Sequence, residues 1–331
     1  MEQDFAARPG VAVVTGATGG IGSAVARMLV ARGCAVVLAY RSDADAAAAL
    51  AAELNAANPA DTDTGTDAGT ARTGTTQAGA APTGAIEAIA TRAGATQAGA
   101  TQAGATRAGA TQAGANTADE QVHETGATTD WRATTQRRAT AVRADLTDPA
   151  ACAALIAGAG EVHTLVHAAG PHVPMMHLST IAPERFAEQV AQDVLATFNI
   201  VRAALPALRA SRGSIVAVTT AATRRFPVRD GLSAVPKGAV ESLMRGIAAE
   251  EGRFGVRANC VGPGMLTDGM AARLMASGDL HEHALAVTRS NIPLRAFGTA
   301  ADIAEAVCFL ASDRARFISG QKLDVDGGYA A

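Results

Sequence analysis

The chain has 331 residues, 48% of them hydrophobic, with 28 Lys and Arg against 31 Asp and Glu for a formal net charge of -3. That is ample apolar material for a sizeable core, and so even a balance of charge gives no electrostatic reason to propose nucleic acid or an anionic membrane as partner. No apolar run approaches the roughly 20 residues of a membrane span, and the opening MEQDFAARPG carries acids without an apolar segment, so a cytoplasmic protein acting on a small molecule is expected. Cys34, Cys152, Cys260 and Cys308 lie far apart with no CxxC spacing, which suits reduced core thiols.

In chain order, the first element is a β-branched strand over Val11–Val14. Directly after it comes Thr15-Gly16-Ala17-Thr18-Gly19-Gly20-Ile21-Gly22, and then a helix over Ile21–Ala31. Gly16 permits a tight turn, Gly20 lets backbone approach a pyrophosphate, and Gly22 allows close packing of helix on strand. The free N–H groups of the helix start complete an anion site. A second strand, Ala35–Ala39, ends in Tyr40-Arg41-Ser42. A guanidinium there favours a ribose 2′-phosphate, so Arg41, with Ser42 as an extra donor, points to NADP; Asp43 and Asp45 follow closely and leave NAD as the alternative.

A helix near Ala44–Ala56 precedes a shift in composition. From about 59 to 136 the chain is mostly Ala, Thr, Gly and Gln, with five pentads of the form TRAGA or TQAGA between Thr91 and Ala115. A period of five fits neither helix nor strand, and so little apolar side chain cannot offset the entropy of ordering. The segment is expected to be a disordered insertion on a surface loop, either a neutral expansion or an arm that folds on a partner.

Beyond it, strands are expected at Thr140–Arg143, Thr164–His167, Ser214–Thr219, Val256–Val261 and Lys322–Val325. Helices are expected over Pro183–Leu208, Pro236–Glu250 and Ala300–Ala311. The alternation predicts one α/β domain spanning 1–331, a doubly wound parallel sheet of seven strands with helices on both faces.

The glycine pattern TGxxxGIG resembles that of the short-chain dehydrogenase/reductase family, and the resemblance covers nearly everything outside the insertion. It implies an oxidoreductase of the ketoacyl-reductase sort, acting on carbonyl or hydroxyl substrates with acyl thioesters among them, and assembled as a homotetramer. Asp145-Leu146 resembles the family's adenine contact, His167-Ala168-Ala169-Gly170 stands where the family has NNAG, and Pro263-Gly264 resembles the turn on the nicotinamide side. Thr267 is then the candidate for the amide contact. Ile318-Ser319-Gly320-Gln321 through Gly328 is similar to the closing segment that shapes the substrate side and the tetramer interface.

The same resemblance implies four catalytic places, and three are changed. Lys237 remains. Counting back from it, Ser233 stands at the tyrosine place and Thr220 at the serine place, while Asp193 replaces an asparagine. Thr220 keeps a hydroxyl able to bond a carbonyl oxygen. Asp193 keeps an acceptor, loses amide donors and gains a charge able to hold a water or to pair with Lys237. Ser233 is the serious change: a phenol of pKa about 10 can be lowered by an ammonium until it donates a proton, and an alkyl hydroxyl is far less acidic and shorter.

Other donors are therefore considered. His172 and His177 follow the HAAG turn, in a loop expected at the mouth of the site. His167 is expected in the cofactor or strand-end packing, and His281 and His283 in the helical region that, by the resemblance, covers the substrate, with plain surface exposure as the alternative. Asp230 stands seven before Lys237, a spacing the enoyl-reductase branch uses for its tyrosine, but the intact TGxxxGIG and the absent tyrosine argue against that branch. No HExxH, Cys/His cluster or GxSxG is present to support a hydrolase. The competing reading is a protein of the same fold that keeps its cofactor and has lost redox chemistry, as a scaffold, partner subunit, cyclase or dehydratase.

Overall fold

The computed structural model describes residues 3–56, 138–171, 173–268 and 282–331. Seven strands form one sheet: β1 (Val11–Thr15), β2 (Ala35–Tyr40), β3 (Ala139–Arg143), β4 (Val162–His167), β5 (Ser214–Val218), β6 (Arg257–Pro263) and β7 (Lys322–Val325). All pairings are parallel, in the order β3-β2-β1-β4-β5-β6-β7. Every residue of β1, β4 and β5 is buried, the signature of a sheet covered on both faces.

The period of two along β1 divides the core. Ala12 and Val14 pack with α1 (Gly20–Ala31), α2 (Ala44–Ala56) and the penultimate segment Ala300–Ala311. Val11 and Val13 pack on the other face with α3 (Pro149–Ala159), α5 (Ala196–Ser211) and α6 (Gly231–Glu251). Two further helices among the described residues are α4 (Pro183–Val190) and α7 (Glu282–Ser290), and Ala300–Ala311 is α8. Its start is fixed by a capping box between Thr299 and Asp302. No helix among the described residues is long and apolar enough to cross a membrane.

Two expected helices are drawn differently. Pro183–Leu208 is not one uninterrupted α-helix: a π-turn, Ala191–Leu195, separates α4 from α5. The helix expected from Pro236 begins at Gly231, so Pro236 lies inside it and one N–H bond is missing one turn in. The earlier start seats both Ser233 and Lys237 on regular helix.

The insertion and its pentads lie outside the described residues. The chain on either side of it is held by one side chain: Asn55 donates to the Ala139 carbonyl (2.9 Å) and accepts from the amides of Arg138 (2.7 Å) and Ala139 (3.0 Å).

Candidate active site

Strand order reverses between β1 and β4, and a crevice opens there at the carboxyl ends of the strands, the place where doubly wound sheets bind ligands. Gly16 turns the chain at φ +66°, and a Cβ on it would sit 2.6 Å from the Ala169 Cα. A Cβ on Gly22 would fall on the Gly16 carbonyl. Both positions therefore need glycine, which brings the loop, the start of α1 and the HAAG turn into contact. The α1 N-cap is Gly19, no side chain caps it and no acid occupies the first turn, so its amides face the crevice without a competing anion. This cradle fits a dinucleotide pyrophosphate.

The crevice continues as two adjoining clefts that share Gly19, Ala168, Ala169 and Gly170. One, of about 320 Å³, takes in Thr15, Gly16 and Thr18 from the glycine loop, Arg41 and Ser42 from the end of β2, and Asp145 and Leu146 after β3. The other, of about 460 Å³, runs from Gly20, Ile21 and Gly22 past Pro263 and Gly264 to Asp193, Thr220, Ser233 and Lys237. Nearly all the residues singled out from the sequence thus line one continuous surface. Thr267 does not: it is exposed, and its amide and hydroxyl both face the Gly298 carbonyl (2.9 and 3.4 Å). Its neighbours Leu266 and Asp268 reach the cleft instead.

At the smaller cleft the two acids after Arg41 are already engaged. Asp43 accepts from the Ala46 amide (3.0 Å), capping α2, and Asp45 lies in the first turn of that helix. Arg41 stays exposed at the rim, its carbonyl accepting from Arg143 Nε (3.0 Å). Asp145 accepts from the amide and hydroxyl of Thr147 (3.0 and 2.7 Å), bonds that hold its carboxyl below the usual carboxylate range.

Below the cleft floor, His167 is buried with Nδ1 2.9 Å from the Thr15 hydroxyl and Nε2 3.0 Å from that of Thr197. Burial, and then the nearby Lys237 charge, lower it to about 3. Thr197 donates its own proton to the Asp193 carbonyl, so it accepts from Nε2–H, which leaves Nδ1 to accept from Thr15. The ring is neutral and packed at the end of β4, below the cleft.

At the larger cleft, Lys237 Nζ lies 2.8 Å from Asp193 Oδ1, the side chains being 13% and 1% exposed. The pairing the sequence allowed is made. Asp193 Oδ2 accepts from Gln189 Nε2 (2.6 Å), a partner not anticipated although its i,i+4 spacing was visible. Asp193 sits in the π-turn, whose wider loop turns the carboxylate into the crevice. The Thr220 hydroxyl accepts from the Ala222 amide (3.2 Å), so its own proton remains to be donated into the cleft. Lys322 fixes the Thr220 carbonyl at 2.7 Å while paired with Glu241 and Asp324 (3.1 and 3.0 Å). Ser233 lines the same cleft, one turn before Lys237, and its hydroxyl makes no hydrogen bond among the described residues.

Neither described histidine among the other candidates, His177 or His283, reaches the cleft. His177 is exposed at the start of a short 3-10 turn, off the cleft, and His283 is exposed; His172 and His281 lie outside the described residues. The group the sequence set aside is the one present: Asp230, the residue before α6, lines the cleft with a carboxyl that makes no capping bond. Burial pushes it up to about 6. The four cysteines are free and buried, with Cys34, Cys260 and Cys308 pushed up to about 12 and Cys152 to about 11, so none is a nucleophile. No cluster of metal ligands occurs among the described residues.

Residues 94–330 match the family model described as Enoyl-(Acyl carrier protein) reductase, and residues 10–108 the one described as short chain dehydrogenase. The 2-(R)-hydroxypropyl-CoM dehydrogenase of Xanthobacter autotrophicus is 34% identical over 222 residues, 64% of this chain and 85% of that protein. From the same organism, the inactive 2-(S)-hydroxypropyl-CoM dehydrogenase 2 is 36% identical over 203 residues, 57% of this chain and 84% of its own. Among solved structures, a putative betaketoacyl-ACP reductase is similar with a TM-score of 0.64 and 28% identity, covering 98% of this chain and 99% of its own.

Proposed function

The chain belongs to the short-chain dehydrogenase/reductase family, and from that premise we propose an oxidoreductase that interconverts a carbonyl and a hydroxyl with NADP in preference to NAD. The observation that carries this reading is the continuity of the two clefts, with a glycine cradle at their junction and Lys237 and Thr220 at the far end. When bound, the nicotinamide supplies or takes up hydride. The chain's residues do the rest: the amides at the start of α1 hold the pyrophosphate, Lys237 bonds a ribose hydroxyl, and Thr220 donates a hydrogen bond to the substrate oxygen. The preference for NADP rests on Arg41, because Asp43 and Asp45 are committed to α2.

Of substrate classes, a β-keto thioester is favoured, since the larger cleft is walled by Met175, Pro227, Met265 and Ile292 and leaves few charged groups beyond the Lys237–Asp193 pair. Fluorescence titration with NADPH and NADH tests cofactor binding, and turnover of an acetoacetyl thioester and a 2-oxopropyl thioether tests the chemistry. NADPH is expected to bind more tightly than NADH and the thioester to be reduced; failure to bind either dinucleotide sinks the reading. A second reading, a cofactor-holding protein without turnover, is favoured by Ser233 at the tyrosine place and by the likeness to an inactive relative. It predicts NADPH binding with no reduction of either probe.

A further inference from the structure

With serine at position 233 the proton of the reaction is unassigned, and the wall of the larger cleft offers one unengaged carboxyl. Of its titratable groups, Asp193 and Lys237 are paired with each other and Asp268 accepts from the amide of Ala300, at the start of α8 (3.0 Å). Tyr329 lines the cleft as well, with the Arg225 guanidinium over its ring, 4.6 Å from the centroid, but it comes from the chain's last residues and not from the segment that carries Ser233 and Lys237. Of the cleft's carboxyl groups, Asp230 is the remaining one. Its carboxyl has no hydrogen-bond partner among the described residues, and it stands just before α6, three and seven residues ahead of Ser233 and Lys237, which line the same cleft.

The local backbone is built to hold it there. Met176 pairs with Asp230 as an isolated parallel bridge, its amide donating to the Arg229 carbonyl (2.9 Å). Arg229 adopts φ +74°, a conformation unusual for a residue with a side chain, and its guanidinium is tied to the Met175 carbonyl (2.8 Å). An outlier so braced, immediately before a residue on the cleft wall, is the kind of strain that positions functional groups. The nearby guanidinium is engaged by the Met175 carbonyl, and burial holds the Asp230 carboxyl near 6. An acid in that range is neutral often enough to give a proton and ionised often enough to take one near neutral pH.

We infer that Asp230 is the catalytic group that exchanges a proton with the substrate oxygen, a role that rests on the oxidoreductase reading above. In the reducing direction, the substrate carbon receives hydride from a reduced nicotinamide dinucleotide and the C=O π pair moves to oxygen. The O–H bond of Asp230 breaks as a new O–H bond forms on the substrate, and the carboxylate regains its proton from water. In the oxidising direction, the carboxylate takes the hydroxyl proton as hydride leaves the carbon for an oxidised dinucleotide.

The test uses Asp230→Asn, which keeps the shape and removes the acid, and Asp230→Glu, which keeps the acid. Carboxyl titration by 13C NMR of aspartate-labelled protein is expected to show a group titrating near 6 in the parent and missing in Asp230→Asn. With NADPH and an acetoacetyl thioester, kcat is expected to fall at least about 100-fold in Asp230→Asn and to recover partly in Asp230→Glu, the Kd for NADPH staying within about twofold. Reduction in the parent should slow as pH rises through about 6, and oxidation should speed up. The inference is overturned by a parent in which no aspartate titrates above the ordinary range, by an Asp230→Asn protein that reduces the thioester at the parent's rate, or by a parent that binds NADPH and reduces nothing. A parent that binds no dinucleotide overturns the oxidoreductase reading as well, which separates the two failures.

Discussion

Lys237 and Asp193 are the most consequential pair in the site, and the buried position of the acid sets how each should fail. Across 2.8 Å, at an effective dielectric of about 20, their attraction is about 6 kcal/mol before desolvation is counted. Desolvation consumes much of that, so the net worth of the pair is small; the cost of breaking it from one side is not. Lys237→Met keeps most of the side-chain volume but leaves the 1% exposed Asp193 with Gln189 as its sole neutral donor among the described residues. The expected loss is about 3–5 kcal/mol, or roughly 10 °C in Tm for a domain of this size. Asp193→Asn should cost less, about 1–2 kcal/mol, since an amide oxygen can still accept from Gln189 and the 13% exposed ammonium can reach water. The double variant should then be more stable than the sum of the singles predicts, by about 2–3 kcal/mol of coupling. Chemical denaturation of the four proteins measures this cycle. Additive losses, or a Lys237→Met penalty below about 1 kcal/mol, would refute the account of Asp193 as a charge held by its partner.

Four further outcomes follow from the same geometry. Gly16→Ala places a methyl group against the Ala169 backbone at φ +66° and should cost about 3 kcal/mol in thermal or chemical denaturation while abolishing NADPH fluorescence enhancement. Arg41→Ala should weaken NADPH binding about 10- to 100-fold by calorimetry, the worth of a charge-assisted contact, and leave NADH unchanged. Because the Asp230 carboxyl is raised from 3.8 to about 6, the folded form loses stability as pH rises through that window; Asp230→Asn should match the parent at pH 3.5 and exceed it by up to about 3 kcal/mol at pH 7.5. Replacing residues 59–136 by a short Gly/Ser linker should leave Tm within about 2 °C, because Asn55 already clamps Arg138 and Ala139 beside the end of α2.

The central strands were legible because β1, β4 and β5 are apolar, β-branched runs, and a parallel strand covered on both faces shows such a run without interruption. The glycine cradle was legible for the reason that makes it work, since only glycine tolerates the Gly16 and Gly22 approaches. What escaped depends on backbone irregularity and on distant contacts. A π-turn has no residue signature, so the step at Ala191–Leu195 was invisible, and Pro236 read as a helix start when local packing carries α6 five residues further back. Thr267 matched a pattern position, yet the carbonyl of Gly298, far along the chain, holds it away from the cleft. Asp230 was seen only as a spacing, because the burial and the braced Arg229 that give it meaning arise from the segment around Met176.

These irregularities bear on one another through charge. A phenol needs a nearby free cation to lower its pKa towards neutrality, whereas a carboxylic acid begins near 4 and needs the reverse, a site that raises it. A free ammonium on the cleft wall would pull the Asp230 carboxyl down and spoil it as a donor. In this chain Lys237 faces a carboxylate at 2.8 Å, and burial is the one influence on Asp230. If the same ammonium were unpaired, its charge on the shared cleft wall would act on Asp230, so the Asp193 carboxylate that pairs with it is expected to favour a raised Asp230 carboxyl. On this argument Asp193→Asn does more than weaken a pair: it frees the ammonium, lowers the titration point of Asp230, and shifts the fall of the reduction rate to a lower pH. A pH–rate profile unmoved by Asp193→Asn would break the link between the two positions.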